Sequence, residues 1–138
     1  MKQFHFTLSS PDAVLFDADV QSVSIPTPDG EITVMADHTP LVSLISPGIM
    51  LIKGNEEKAL ACGSGFIKTF GGSAKAFTQT AEFAESIDEE RAIAAKKQAE
   101  EVMKQKTDAV SLADATSLLE RNVARLKVLD RKKRRSHH

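Results

Sequence analysis

The sequence predicts a two-part α+β chain, with a small β domain over residues 1–85 and an antiparallel two-helix hairpin over residues 86–138. Three observations predict it. Ahead of Ile87, apolar and polar residues alternate in short runs, as in strands with one buried face. Beyond it, apolar residues recur every three or four positions, as in helices with one buried stripe. All five prolines and all seven glycines precede Ser73, and residues 87–135 contain neither.

Each strand has its own signal. Gln3 to Ser9 alternates, with Phe4, Phe6 and Leu8 on one face. Ser10-Pro11-Asp12 turns the chain into Val14 to Phe16. Val20 to Ile25 follows and stops at Pro26, which has no N–H for a ladder and marks an edge or a strand end. Thr27-Pro28-Asp29-Gly30 predicts a turn in which Gly30 takes positive φ. Ile32 to Met35 and Leu41 to Ile45 come next, the second halted by Ser46-Pro47-Gly48. Ile49 to Lys53 runs into the polar loop Gly54-Asn55-Glu56-Glu57. Lys58 to Cys62, Phe66 to Phe70 and Ala74 to Thr80 complete the set. Gly63-Ser64-Gly65 reads as a hairpin turn between two of these strands, and Gly71-Gly72 separates the last two. About eight to ten short strands at this spacing form a sandwich or a flattened barrel.

Ser86-Ile87-Asp88-Glu89 has the form of a capping box, with Asp88 a further N-cap candidate. The first helix then runs to about Lys106, with Ala92, Ala95, Ala99 and Val102 on one narrow stripe. Thr107-Asp108 and a second box, Ser111 to Asp114, restart a helix reaching about Arg134. Its stripe is Leu112, Ala115, Leu119, Asn122 with Val123, Leu126 and Leu129. Alanines on one helix let the leucines of the other approach closely. A lone hairpin of this kind buries little surface, so docking elsewhere or a second arrangement costs little.

Composition narrows the function. With 41% hydrophobic and 27% charged residues the chain reads as a soluble globular protein. Its aromatic residues are all Phe, which argues against stacking platforms for single-stranded nucleic acid. No stretch approaches the ~20 apolar residues of a membrane span, and Met1 to Thr7 lacks the apolar core of a signal peptide. The single cysteine, Cys62, lies in the apolar run Ala59-Leu60-Ala61 and reads as a buried, inert thiol. Residues 1–88 hold 5 Lys/Arg against 11 Asp/Glu, whereas residues 89–138 hold 13 against 8. The halves therefore present opposite fields, capable of drawing them together or steering each to a different partner. The run Arg131 to Arg135 reads as a solvated helix end that complements the dipole, or as a contact for an acidic protein surface. The rest of the chain is not basic, which disfavours nucleic acid as a partner. No Walker loop, nucleophile–base pair or metal spacing among His5, His38, His137, His138 and Cys62 is present, so an enzyme is not expected.

Taken in order, Leu8-Ser9-Ser10-Pro11, Val14-Leu15-Phe16, Val23-Ser24-Ile25-Pro26 and Gly30-Glu31 form the first part of a recognisable series. Val34-Met35, His38-Thr39-Pro40-Leu41, Pro47-Gly48, Gly63-Ser64-Gly65-Phe66 and Ile87-Asp88-Glu89-Glu90-Arg91-Ala92 continue it. In that order and spacing the chain resembles, over its whole length, the epsilon subunit of the bacterial F-type ATP synthase. The resemblance implies a ten-stranded β-sandwich followed by a helix–turn–helix. It also implies a non-catalytic subunit in the rotating central stalk, beside the gamma subunit and on the ring of c subunits. The C-terminal helices would lie folded on the sandwich or extend toward the alpha and beta subunits, where they block ATP hydrolysis. Such a subunit is peripheral on the cytoplasmic face of the bacterial plasma membrane and meets the membrane only through the complex.

The resemblance also assigns residues. Glu31 matches a position facing the c ring, against the simpler reading of a solvated turn carboxylate. His38 matches a histidine with a structural or gamma-facing role. Ala36-Asp37 departs from the Pro-Gly of many members. Ile87, Asp88, Arg91 and Ala92 match an Ile-Asp-x-x-Arg-Ala element that in some members belongs to an ATP site holding the hairpin folded. Glu82 precedes it, and Arg121 and Arg125, spaced i, i+4, project from one helix face toward the phosphates. The plainer reading is that Asp88 caps a helix and Arg91 pairs with nearby acids. The chain is expected to need no cofactor, with ATP as a regulatory ligand. The alternative from a different class is a free-standing nucleotide-sensing protein using the same hinge around Ile87.

Overall fold

In the computed structural model, which describes residues 2–105 and 109–136, ten strands form two five-stranded sheets and two helices follow. The strands are β1 (Phe4–Ser9), β2 (Val14–Val20), β3 (Ser22–Thr27), β4 (Gly30–Met35) and β5 (Leu41–Ile45). Then come β6 (Gly48–Lys53), β7 (Glu57–Cys62), β8 (Gly65–Phe70), β9 (Ser73–Thr78) and β10 (Ala81–Phe83). One sheet has the order β2-β1-β9-β8-β5 and the other β10-β7-β6-β3-β4. The architecture is thus the sandwich and not the barrel. All pairings are antiparallel except β1 with β9, which places the N-terminal strand inside its sheet, between β2 and β9.

The alternation read from β1 holds: Phe4, Phe6 and Leu8 are buried in the inter-sheet core. Val20, Val23, Ile25, Met50, Ile52, Leu60 and Ile67 fill the rest of it. Gly30 has φ 115° and closes the β3–β4 hairpin, in which Thr27 faces Gly30. Gly71 and Gly72 both have positive φ, as a two-residue turn between β8 and β9 requires. Pro26 lies one residue from the end of β3, beyond the Ser24–Leu51 pair where β3 leaves β6, so its missing N–H breaks no ladder there.

Several expectations need correction. Gly63-Ser64-Gly65 is not a hairpin turn, because β7 and β8 belong to different sheets and the segment carries the chain between them. Its backbone instead bonds to the β9–β10 connection, Gly63 N to Thr80 O at 2.8 Å and Gln79 N to Ser64 O at 2.9 Å. Val20 ends β2 and does not begin β3; the intervening Gln21 donates its N–H to Lys53 O at 2.7 Å. The strand read as Ala74 to Thr80 ends early, since β9 stops at Thr78, and a further short strand, β10, follows and joins the other sheet. Ser86 does not cap the first helix; it ends a 3-10 turn over Ala84–Ser86.

Helix α1 spans Glu89–Gln105 and α2 spans Ala109–Ser136. Asp88 caps α1: its Oδ1 accepts the Arg91 N–H at 3.2 Å, and its carbonyl accepts that of Ala92 at 3.0 Å. Glu89 and Glu90 add negative charge at the positive end of the dipole. Three residues separate the helices and they pack side by side, so they run antiparallel. The helix boundary near Lys106 and the restart at Thr107-Asp108 lie outside the described residues. So do His137, His138 and the side chains of residues 132–136. α2 starts upstream of Ser111, which is therefore inside the helix and not at its cap.

The stripe read on α1 holds at Ala92 and Ala99, which are buried, while Ala95 and Val102 are half-buried. On α2 the reading was too narrow. Ala115, Asn122 and Leu129 are buried as expected, but Leu112 is exposed, and Ala124 and Val128 form a second buried stripe. That stripe lies on β6 and β7, against Ala61, Ala84, Ile49, Ala59 and Ile87. The hairpin is therefore folded onto the outer face of the β10-β7-β6 side of the sandwich.

Candidate functional site

The seam between α2 and the sandwich gathers several of the residues singled out above. Glu82 sits on the three-residue strand β10 and reaches Arg125 of α2. Arg125 donates from Nε to Glu82 Oε2 at 2.7 Å and from Nη2 to Glu82 Oε1. Its Nη1 donates to Asn122 Oδ1 at 2.9 Å, and Asn122 Nδ2 donates to Leu118 O at 2.8 Å. All three guanidinium nitrogens are thus engaged, and the fully buried Asn122 is satisfied on both sides of its amide. Ile87 packs against the cluster that contains Ala124 and Val128.

The remaining members of the expected nucleotide set lie in other surroundings. Asp88 and Arg91 share the start of α1, with Arg91 Nε 3.9 Å from Asp88 Oδ2 and the Arg91 side chain 90% exposed. Ala92 is buried in the same first turn. Arg121 is exposed and lines a small cavity of about 70 Å³ with Gly63, Ser64, Gln79 and Thr80, at the crossing between the sheets. Arg121 and Arg125, although i, i+4, therefore meet different parts of the sandwich.

Sequence reasoning missed the other end of the seam. Arg131 Nη2 donates to Glu57 Oε1 at 2.9 Å, joining α2 to the start of β7 across 74 residues of chain. The two ion pairs bracket Val128, whose side chain is 0% exposed. A groove of about 480 Å³ between α2 and the β5–β6 connection is lined by Ser46, Pro47, Leu119, Glu120, Val123 and Lys127.

The expected interface residues lie on the sandwich. Glu31 is exposed on β4, next to Gly30 and opposite Pro26. His38 donates from Nδ1 to Met35 O at 2.6 Å, while its Nε2 is buried without a partner. Its ring stands edge-on to Phe4 at 5.3 Å between centroids. Beside it an open cavity of about 530 Å³ is lined by Lys2, Gln21, Thr33, Met35, Asp37 and His38.

An apolar face went unread. On the outer side of β5 and β8, Val42 is 70% exposed, Leu44 65% and Phe66 48%. Leu44 is opposite Phe66, and Phe66 stacks on Phe77 of β9 at 5.8 Å. The excess of apolar residues in Leu41 to Ile45, beyond what one buried face needs, was the available signal.

Cys62 is buried, its thiol pushed up to about 11 by desolvation. Among the described residues no group of His, Cys, Asp and Glu is arranged to hold a metal ion, and no helix is long and apolar enough to cross a membrane.

Known proteins carry the same two parts. The family model of the ATP synthase delta/epsilon chain β-sandwich domain matches residues 3–84, and that of its long α-helix domain matches residues 85–130. The ATP synthase epsilon chain of Bacillus velezensis is 35% identical over 129 residues, covering 93% of this chain and 98% of that one. The epsilon chain of Chromobacterium violaceum is 34% identical over 140 residues, covering 99% and 100%. Among solved structures, a chain of the Euglena gracilis mitochondrial ATP synthase (OSCP, F1 and c-ring) superposes with a TM-score of 0.78 at 25% identity, covering 91% of this chain and 79% of that one. With both parts matched in order, the chain belongs to the ATP synthase delta/epsilon family, as a bacterial F-type epsilon subunit and not a catalytic chain of the enzyme.

Proposed function

We propose that this subunit works in the rotor of the central stalk, coupling c-ring rotation to the gamma subunit and the catalytic head. Its C-terminal helices inhibit ATP hydrolysis when they leave the sandwich and extend toward the alpha and beta subunits. The observation that carries this reading is the construction of the α2 seam. Its buried side chains are mainly alanines with one valine, so little apolar area holds the helix down, and two part-exposed ion pairs supply much of the rest. Fully burying a valine is worth about 1.5–3 kcal/mol, and an exposed ion pair about 0–1 kcal/mol. A contact of this size lets a ligand or a neighbouring subunit set the balance between two packings.

The gamma subunit docks on the exposed face of Val42, Leu44 and Phe66, with His38 on the gamma side and Glu31 turned to the c ring. In the extended state the basic run from Arg131 to Arg135 meets an acidic segment of the beta subunit. ATP is a regulatory ligand and no cofactor is required. It would use Glu82, Ile87, Asp88, Arg91, Ala92, Arg121 and Arg125, with phosphate oxygens replacing Glu82 on Arg125. The assembled subunit is peripheral, on the cytoplasmic face of the plasma membrane.

Co-expression with gamma tests the docking. The wild-type chain retains gamma through purification, and the Val42→Glu, Leu44→Glu variant, folded by circular dichroism, loses it. A wild-type chain that stays a gamma-free monomer would favour the free-standing nucleotide sensor instead. Titrating ATP into wild type and Arg91→Ala tests the nucleotide site, which indistinguishable binding would eliminate.

A further inference from the structure

His5 stands on β1 between two carboxylates of β2. Its Nδ1 is 3.0 Å from Asp19 Oδ1, and its Nε2 is hydrogen-bonded to Asp17 Oδ1. Thr7, two residues along β1, donates to the same Asp17 oxygen at 3.4 Å. An ionised carboxylate only accepts, so both contacts form as hydrogen bonds only when both ring nitrogens carry protons. The arrangement is that of an imidazolium held by two anions.

Its place in the fold gives the cluster a consequence. β2 is an edge strand, paired with β1 alone. On the other flank β1 pairs with β9, where Ser73 is opposite His5 and Lys75 opposite Thr7. Lys75 is the charge that β9 turns to this face among the described residues, and its ammonium lies 5.8 Å from the Phe70 ring centroid. It opposes a second positive charge nearby, but the two carboxylates touch the imidazole directly and prevail.

We propose that Asp17, His5 and Asp19 form a pH-sensitive clip that fastens the edge strand β2 to β1 while His5 is doubly protonated and releases it when His5 is neutral. A neutral ring keeps one N–H and turns a lone pair toward the other carboxylate, so one of the two bonds becomes a repulsion. Hydrogen bonds to Asp19 and then to Asp17 hold the His5 pKa above its ordinary 6.5. With the folded-state pKa raised, the clip is complete below pH 6.5 and is lost as pH rises through the raised value. Releasing β2 bares backbone donors and acceptors at the sheet edge, the groups through which another chain adds a strand. The cluster is solvent-exposed and screened, so the change in β2 opening is modest, about two- to fivefold.

NMR of the intact chain tests this. The His5 ring resonances should titrate above pH 6.5. In Asp17→Asn, Asp19→Asn the midpoint should fall to the ordinary value. Amide protection of Phe16 to Val20, corrected for intrinsic exchange, should drop about two- to fivefold across the wild-type midpoint and become flat with pH in His5→Gln. A His5 midpoint at or below the ordinary value, or one unmoved by the double substitution, overturns the clip. Protection of β2 that ignores the His5 titration overturns it as well.

Discussion

Glu82 on the last strand of the sandwich and Arg125 on the second helix form a two-pronged ion pair, Nε to Oε2 at 2.7 Å and Nη2 to Oε1. It spans 43 residues of chain and ties the hairpin to β10. The same guanidinium orients Asn122, a fully buried amide that would otherwise be poorly satisfied on an apolar seam. Docking of α2 is therefore specified by polar geometry as well as by burial.

Glu82→Gln and Arg125→Met should each loosen α2, costing about 1–3 kcal/mol because a charged partner is left unmatched in a part-buried site. The double variant should cost less than the sum, since the two substitutions remove one shared contact. The chain has no Trp or Tyr, so amide exchange along α2 is the suitable readout. Unchanged protection from Ala124 to Leu129 would show that the pair does not hold the helix.

Ala124→Leu should overpack the seam against Ala61 and Ala84 by about 1–3 kcal/mol and lift α2 from β7 while leaving the inter-sheet core intact. If undocked helices inhibit, the variant suppresses ATP hydrolysis by the catalytic head several-fold more than wild type. A variant that inhibits less, with α2 shown to be undocked, would reverse the assigned direction of the switch.

The sandwich was legible in the sequence because its core strands obey local rules. Phe4, Phe6 and Leu8 alternate, and Gly30 and Gly71-Gly72 carry the turn chemistry that their hairpins require. What was not legible depends on partners distant along the chain. Gly63-Ser64-Gly65 looks like a hairpin turn until the flanking strands are known to pair with β6 and β9, in different sheets. Ala81-Glu82-Phe83 is too short to announce a strand. Ala124 and Val128 are too small to stand out beside the leucines of α2, although they carry its contact with the sandwich. The Glu57–Arg131 pair joins residues with no local signal at all. At the candidate site, the resemblance supplied Glu82 and Arg125 as members of one set, whereas spacing alone gave only a shared face for Arg121 and Arg125.

Gly65→Ala should be severely destabilising. A Cβ there would lie 1.8 Å from the Phe77 carbonyl oxygen, a backbone atom held in the β8–β9 ladder. Thermal unfolding by circular dichroism should show a loss of about 3 kcal/mol or more. A change under about 1 kcal/mol would contradict the close approach of these strands.

Cys62 should be inert to thiol reagents at pH 8 in the folded chain and react at once in denaturant, because burial pushes its pKa to about 11 from 9.0. The unfolded thiol ionises first as pH rises, so this group lowers stability between about pH 9 and pH 11. Rapid labelling without denaturant would place the thiol at the surface.

ATP hydrolysis by the catalytic head, reconstituted with gamma and either the full chain or a truncation after Ser86, isolates the effect of the C-terminal helices. Both forms keep the sandwich and the surface proposed to dock gamma, so only the helices differ. Inhibition by the helices predicts faster hydrolysis with the truncation, by several-fold. Equal rates, with both forms bound in equal amount, would contradict inhibition by the C-terminal helices.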